Sequence, residues 1–316
     1  MAARAVPGKL TLGLLVGLAI LAISTAAPLI KAAQAPVLVI AFWRLCLATG
    51  LLALAAAFSA QAREDLAGLS PRDAVGLLAV GVVLALHFAS WMAGLVLTSV
   101  AASVVLVTLH PVIVGLASAR LFGEGLGSRA WTGVIVAFLG GIGIVWGDTT
   151  RGPEPLLGDI LSFLGALAVA AYFLAGRGYR RRLSLLAYVV PVYMGATLAL
   201  AALVGVTGEA FTGYATREWL IFLALAVLPM VLGHTVLNYA LRYVTAPVIA
   251  TSTLGEPVGS TLLALIFLGE VPPWSTVVGG VVVLVGILLV VQSREAAPGE
   301  AARLEEKTPE ASDGPG

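Results

Sequence analysis

Charged residues are scarce in this chain. Only 11% of its 316 residues are Asp, Glu, Lys or Arg, whereas soluble domains carry about 25%. Hydrophobic residues make up 59% of the chain, and the mean hydropathy is +1.02. A soluble particle of this size could not cover its surface with so few charges. The composition therefore predicts an integral membrane protein.

The chain also lacks an excess of basic over acidic residues, and it has only one cysteine. The 18 Lys and Arg nearly balance the 17 Asp and Glu, and a net charge of +1 gives no electrostatic case for a nucleic-acid partner. The single cysteine, Cys46, lies in an apolar run. It excludes an intramolecular disulfide and indicates no metal–thiolate site.

Long apolar runs are what the chain has in abundance. A membrane-spanning helix needs about 20 mostly apolar residues. The connections between the runs are short and contain most of the charge. Ten runs are predicted to be spans: 10–30, 36–58, 74–97, 100–121, 131–147, 157–176, 184–206, 218–241, 246–268 and 275–292.

The positions of the basic residues predict the orientation of these spans. With the N-terminus inside, fourteen of the 18 Lys and Arg lie in cytoplasmic segments. Lys31, Arg151 and Arg217 lie outside, and Arg44 lies within a span. The positive-inside rule therefore places both termini in the cytoplasm.

The start of the chain allows a second interpretation. Arg4 and Lys9, followed by an apolar stretch and by Ser24-Thr25-Ala26, resemble a cleavable signal peptide. We favour a first membrane span, because the internal repeat described next requires a helix here. The opposite end, 293–316, is rich in Glu, Ala, Pro and Gly and is predicted to be a disordered cytoplasmic tail.

An internal repeat appears when the chain is shifted by 146 residues. The shift aligns the fourth span with the ninth and the fifth with the tenth. In both halves a Glu lies thirteen positions after a Pro. Glycines follow nine and sixteen positions after that Glu. This spacing is more specific than the aliphatic matches, and we expect the glycines to allow close helix contact. The aligned pairs are His110-Pro111 with Glu256-Pro257, Gly123-Glu124 with Gly269-Glu270, Gly133 with Gly279, and Gly140 with Gly286.

Each half of the chain contains five predicted helices. Because five is an odd number, the halves are predicted to lie upside down relative to each other. The predicted fold class is an all-α integral membrane protein with ten transmembrane helices in two inverted-topology repeats of five. Such repeats are typical of secondary transporters. The predicted segments are a cytoplasmic N-terminus 1–9, a first repeat 10–147, an external linker 148–156, a second repeat 157–292 and the tail 293–316.

These motifs resemble a known family. Together with Arg44 and Asn238-Tyr239-Ala240-Leu241, the paired Pro…Gly-Glu signatures look like the drug/metabolite transporter superfamily, specifically its EamA branch of ten-helix exporters. The resemblance covers about residues 10–292. Where family members often have a Trp-Gly pair in the first span, this chain has Ser24-Thr25-Ala26. The resemblance implies export of amino acids or other metabolites across a bacterial inner membrane and names no single solute.

Two candidate site residues, His110 and Glu256, are equivalent in the repeat, and each precedes a proline. A proline within a helix frees the carbonyl four residues earlier, which here belongs to Val107 and to Thr253. His110, Glu256 and the two freed carbonyls are predicted to form a polar patch near mid-depth, where transporters bind substrate. The other members of this patch are Thr108, Thr251, Ser252 and Thr253. The alternative is a pair of kinks that serve helix packing, with the polar groups satisfied locally.

A second set of candidates has helical spacing. His87 and Trp91 share one helix face, and His234 and Asn238 repeat that spacing on the eighth span beside Tyr239. The two faces are predicted to oppose each other across a cavity. Tyr172, with Tyr188 and Tyr193, lines this cavity or belongs to the interfacial belt. The competing role for the His and Asn side chains is hydrogen bonding between helices.

The last candidates are charged. Arg44 lies about 12 Å into the second span at 1.5 Å per residue. Substrate contact, snorkelling to the outer surface and a structural ion pair all remain open for it. Glu256 is the only acidic residue deep in a predicted span. It could take up a proton, bind a substrate ammonium group, or pair with Arg44 or a histidine.

The leading hypothesis is a secondary transporter that exports amino acids by alternating access around a midplane cavity. A drug, nucleobase or sugar exporter is the alternative, because fold does not fix substrate. A zinc enzyme and a channel are weaker, since no clustered ligand pair, charged ring or carbonyl filter is visible. We expect no catalytic activity, cofactor or metal. The expected partners are a small solute, membrane lipids and, if transport is coupled, protons, with the chain a monomer or a weak dimer.

Overall fold

The computed structural model describes residues 9–122, 127–147, 152–180, 182–240 and 253–295, and within these ranges the regular structure is entirely helical. A π-helical segment, Ala226–Thr235, continues α11 and leads into α12. The helices are α1 Lys9–Ser24, α2 Ala26–Ala32, α3 Val37–Ala57, α4 Ala60–Ala67, α5 Pro71–Leu97, α6 Val100–Val107, α7 His110–Phe122, α8 Ser128–Gly147, α9 Pro155–Arg180, α10 Leu185–Thr207, α11 Thr216–Leu225, α12 Val236–Ala240, α13 Gly255–Leu268 and α14 Trp274–Glu295.

Eight helical stretches are long and apolar enough to cross a membrane. Two shorter apolar stretches, Gly255–Leu268 and Trp274–Leu289, follow them. The eight lie where the first eight apolar runs of the sequence predicted spans. They are Leu10–Ala32, Val37–Ala57, Pro71–Leu97, Val100–Ala117, Ser128–Gly147, Pro155–Gly176, Leu185–Thr207 and Thr216–Ala240.

Polar contacts join the chain connections at two opposite ends of the helix bundle. At one end, the Glu218 carboxylate accepts hydrogen bonds from the backbone N–H groups of Gln34 and Ala35, at 2.9 and 3.1 Å. At the other end, Asp65 accepts from the backbone N–H of Ser184 at 2.8 Å. This interaction with Ser184 lowers the pKa of Asp65. The first end is the one that the charge pattern predicts to face outward.

Glycines bring α8 and α14 into close contact. A Cβ on Gly140 would lie 2.9 Å from the carbonyl oxygen of Gly279, and one on Gly286 would lie 2.7 Å from that of Gly133. Gly147 meets Ser275. Because residue numbers rise along α8 while those of the contacted residues fall along α14, the two helices are antiparallel. The predicted packing role of these glycines is confirmed.

The centre of the bundle is built by α5, which packs against α9 and α10, while α10 also packs against α3. Here too small residues allow close approach, since a Cβ on Gly94 would lie 2.5 Å from the carbonyl oxygen of Gly158. On the other side, α1 packs against the π-helical segment and α12. These contacts surround the cavity described below.

The prolines of the fourth and eighth spans interrupt regular helix. In the fourth span, α6 ends at Val107 and a new helix begins at His110, so that Pro111 lies in a first turn, where no N–H is needed. In the eighth span, Pro229 lies in the π-helical segment, and the Thr235 hydroxyl donates to the carbonyl of Met230, five residues earlier, at 2.9 Å. The predicted interruption of the helix at His110-Pro111 is thus confirmed for the fourth span.

Candidate functional site

A cavity lies between α5, α9, α10 and the irregular eighth span. Its atom-free space, including the part that opens to solvent, is about 330 Å³. Its walls are mainly aromatic and apolar, with two imidazoles, one amide and two phenols as polar groups. The lining residues are Leu84, His87, Phe88, Val169, Tyr172, Phe173, Tyr193, Met230, His234 and Asn238.

The imidazole of His87 has a defined orientation in this wall. Its Nδ1 lies 2.9 Å from the carbonyl oxygen of Gly165, and the side chain is buried. A carbonyl can only accept, so Nδ1 is the protonated nitrogen and Nε2 of the neutral ring is the acceptor. A carbonyl partner of this kind commonly sets the His tautomer. His87 therefore offers an acceptor to a solute that carries N–H or O–H groups.

The π-helical segment positions His234 and Met230 in the opposite wall. Pro229 lacks the N–H that would bond to Leu225, which favours the wider turn. One turn further, Asn238 donates from Nδ2 to the His234 carbonyl at 2.9 Å. π-Helical elements inside α-helices are frequent at functional sites. The predicted meeting of the His87 and His234–Asn238 faces is observed, because all three residues line one cavity.

His110 is separated from the cavity by the ring of Phe173. Its ring stacks on Phe173 with centroids 5.5 Å apart, and Phe173 lines the cavity. Its Nδ1 lies 3.1 Å from the Val107 carbonyl, which Pro111 frees from the helix. This pairing agrees with the alternative in which the polar groups are satisfied locally. The predicted direct contact of His110 with a solute would be indirect, because His110 is not in the cavity lining.

Trp91 and Tyr239 are not among the lining residues. Trp91 is buried and parallel to the His87 ring, with centroids 6.0 Å apart. Its Nε1 has no hydrogen-bond partner. Tyr239 is half-buried beside Asn238. The structure therefore places Trp91 as a support of His87, whereas Tyr172 lies in the wall itself.

Arg44 is fully buried, with 0% exposure, and is not among the lining residues. Its guanidinium carbon lies 4.4 Å from the centroid of the Phe88 ring, and Phe88 lines the cavity. None of the three guanidinium nitrogens has a hydrogen-bond partner. Snorkelling to the outer surface, one of the roles left open by the sequence, does not occur in this structure.

Glu256 lies in the first turn of α13, outside the cavity lining. It is half-buried and interacts electrostatically with Arg44. Its backbone N–H donates to the Thr253 carbonyl at 3.0 Å. The other members of its predicted polar patch, Thr251 and Ser252, lie outside the described residues, as does Gly123-Glu124.

Sequence reasoning missed five lining residues: Leu84, Phe88, Val169, Phe173 and Met230. Each is an apolar side chain in an apolar helix, which is equally compatible with lipid, with a packed core or with a cavity. One signal was available, because Phe88 follows His87 and lies one turn from Leu84. Pro229 in the eighth span also indicated irregular backbone.

The chemistry of this site suits binding. Neutral imidazole and amide groups can hydrogen-bond a polar solute, and aromatic faces can stack on an apolar part or attract a cation. Within the described ranges, no group of three or more His, Cys, Asp or Glu is arranged to hold a metal ion. Long apolar helices around a partly polar cavity define the class: a multi-pass helical membrane protein with an internal cavity.

Comparison with known proteins identifies the family. A model described as the EamA-like transporter family matches the chain twice, over residues 10–146 and 156–292. The chain belongs to this family and contains two copies of the segment that the family model describes. The resemblance drawn from the Pro…Gly-Glu signatures is confirmed.

Two individual proteins that resemble this chain give less information about its function than the family match does. A protein of Bacillus subtilis (strain 168) described as "Uncharacterized transporter YdfC" is 24% identical over 184 residues, which are 58% of this chain and 59% of that protein. The chain thus matches only about three fifths of this relative. One protein of known crystal structure has a TM-score of 0.63 at 21% identity, with 90% of this chain and 98% of that chain covered. That likeness supports the fold.

Proposed function

We propose that the protein exports small metabolites, with amino acids the leading class, across a bacterial inner membrane by alternating access. The observation that carries this proposal is the cavity, because both repeats contribute to it. His87 and Phe88 come from the first repeat, and Tyr172, His234 and Asn238 come from the second. A solute held by both halves would be released on the other side when the halves change their relative tilt.

The proposal includes ten spans in two inverted repeats, with the boundaries predicted above and both termini cytoplasmic. The antiparallel contact of α8 with α14 supports this arrangement. The 146-residue shift exchanges the pair Gly133–Gly286 with the pair Gly279–Gly140, and both pairs are in contact. Equivalent helices that meet in antiparallel fashion about such exchanged pairs are what a pseudo-twofold axis in the membrane plane requires.

Helix neighbours support the same axis. The contact of α5 with α9 has its counterpart in the contact of the π-helical segment with α1. Likewise, α6 and α7 pack on α9, while α13 packs on α1. Each pair maps onto the other when the halves are exchanged.

The alternative cargo classes are drugs, nucleobases and sugars. The aromatic walls would suit a lipophilic compound equally well. The buried positive charge of Arg44 next to Phe88 argues against lipophilic cations, because like charges repel strongly in a low-dielectric interior. Proton coupling and a monomeric or weakly dimeric state are part of the hypothesis and rest on the sequence alone.

Counterflow in proteoliposomes tests the proposal. Purified protein would be tested with amino acids, nucleobases, sugars and lipophilic cations. We expect saturable exchange of amino acids, reduced about tenfold or more in His87→Ala and Tyr172→Ala if each removes a direct contact. Tyr214→Ala, the same change at a half-buried tyrosine outside the cavity lining, is the matched control and should exchange at the wild-type rate. Exchange of nucleobases or cations without amino acids would replace the leading class, and no exchange of any solute would reject transport through this cavity.

A further inference from the structure

Among the described residues, Arg44 has more buried nitrogen and oxygen atoms without a hydrogen-bond partner than any other side chain. It carries five N–H donors, and its side chain is completely buried without one hydrogen-bond acceptor. The guanidinium group packs on the face of the Phe88 ring. A buried charge is strongly disfavoured unless it is both paired and hydrogen-bonded. The arrangement therefore indicates an acceptor that the described residues do not supply.

We propose that Arg44 binds a carboxylate of the transported solute, so that the substrates are small carboxylic acids, amino acids included. The inference rests on the proposed transport function and narrows its substrate class. The planar guanidinium presents parallel N–H groups that match the two oxygens of a carboxylate. A phosphate would retain excess negative charge beside one cation, which favours the carboxylate.

Phe88 links this charge to the cavity. The same ring lines the cavity on one side and covers the guanidinium at 4.4 Å. A solute carboxylate reaches Arg44 when the Phe88 side chain turns aside. The neighbouring His87 offers its Nε2 acceptor to the ammonium group of an amino acid, while Tyr172 and Phe173 contact its side chain.

The nearby acidic group does not fill the role of this acceptor. Glu256 interacts electrostatically with Arg44, yet no guanidinium nitrogen forms a hydrogen bond to it. A direct salt bridge would have satisfied both side chains. A ligand that carries its own negative charge would supply the missing acceptor.

Matched pairs of ligands test this inference by binding, which does not require transport. L-Threonine, L-leucine and L-phenylalanine would each be compared with their amides, which retain the ammonium group and lose the negative charge. A bound ligand raises the melting temperature of detergent-solubilised protein. We expect stabilisation by at least one acid, with affinity weaker by about tenfold or more for its amide. Arg44→Gln should abolish this preference, Arg44→Lys should restore part of it, and Arg63→Gln, at an exposed arginine, should keep it.

The outcomes separate the two proposals. Equal binding of acids and amides by the wild-type protein overturns the carboxylate site, and so does a preference that persists in Arg44→Gln. Transport of amides or uncharged solutes would then leave the proposed transport function standing. If Arg44→Gln does not fold, the carboxylate site can still be tested by comparing acid with amide in the wild-type protein and in Arg44→Lys.

A second, independent observation lies at the end of the bundle predicted to face outward. Lys31 Nζ is 3.0 Å from Oε2 of Glu270 and donates to the Thr98 carbonyl at 2.6 Å. Oε1 of Glu270 accepts from the backbone N–H of Val100. One carboxylate of the second repeat thereby joins three segments of the first: the end of α2, the end of α5 and the start of α6.

From this cluster we infer a latch that keeps the cavity closed at this end of the bundle. Both charged side chains are partly shielded, at 18% and 22% exposure. Shielding makes such a pair stronger than an exposed surface pair. Because the latch joins the two repeats, the halves can separate at this end only when it breaks.

Cysteine labelling tests the latch without any transport measurement. In a Cys46→Ala background, Leu84→Cys places a thiol in the cavity wall. A membrane-impermeant thiosulfonate added outside should modify it several-fold faster in Glu270→Gln and in Lys31→Met. The charge exchange Lys31→Glu with Glu270→Lys should slow the reaction again, and Arg182→Met, which removes an ion pair at the opposite end, should not accelerate it. Unchanged labelling in both single variants would overturn the latch.

Discussion

At the scale of single residues, the sequence identified the polar part of the cavity and missed its apolar part. His87, Tyr172, His234 and Asn238 were recognisable because a polar side chain in hydrocarbon needs a reason. Phe173 gave no such signal, since a phenylalanine in a span is unremarkable wherever it points. Only packing shows that its ring lies between His110 and the cavity.

Phe173→Ala should therefore impair exchange of the solute. It removes one wall of the cavity and the ring on which His110 stacks, interactions worth about 0.5–1.5 kcal/mol beyond buried area. We expect exchange in proteoliposomes to fall about threefold to tenfold. Phe267→Ala, at a position 73% exposed on α13, is the matched control and should exchange at the wild-type rate. An equal loss in both variants would show that Phe173 acts through stability alone.

At the scale of helices, length and composition located the spans, and the prolines located the interruptions. The break between α6 and α7 follows from Pro111, whose ring cannot sit in the middle of a helix without displacing a carbonyl. The glycines of α8 were predicted to pack, but their partners could not be derived from α8 alone. Gly140 is packed against α14, whereas Gly143 on the same helix has nothing within 4 Å of an added Cβ.

Gly140→Ala and Gly143→Ala form a matched pair that tests this packing. An added Cβ at position 140 would lie 2.8 Å from the Val283 nitrogen and 2.9 Å from the Gly279 oxygen. We expect Gly140→Ala to destabilise the protein by about 1–3 kcal/mol through overpacking. Gly143→Ala should be neutral or stabilising by about 0.5–1 kcal/mol, because alanine favours helix over glycine. Thermal melting in detergent measures both, and equal melting temperatures would contradict the α8–α14 contact.

At the scale of the whole molecule, the distribution of Lys and Arg predicts the orientation, while packing brings the two halves together. The same 146-residue shift aligns Lys31 with Arg177 and Glu270 with Glu124, so the sequence carries this pair of charges in both repeats. The first pair forms the latch at one end. A second such pair, in the inverted half, is what alternating closure at the two ends would need.

Reporter fusions test the predicted orientation. Green fluorescent protein, which becomes fluorescent only in the cytoplasm, should fluoresce when attached to either terminus. Alkaline phosphatase, which is active only outside, should be inactive when fused after residue 316 and active when fused in the 148–156 connection. The physical reason is the cost of translocating basic segments. Termini on opposite faces would contradict the even number of spans and with it the inverted repeat.

The sequence by itself determined the membrane environment, the position of the first eight long apolar helices and the presence of two repeats, because hydrophobicity, charge and proline act locally along the chain. It also identified most polar candidates for the cavity. Tertiary structure alone decided that His87, His234 and Asn238 share one cavity, that His110 and Trp91 stand behind its wall, and that Arg44 is buried without an acceptor. These properties depend on which helix faces meet, and helix contacts between distant segments cannot be read from the hydrophobicity of either segment.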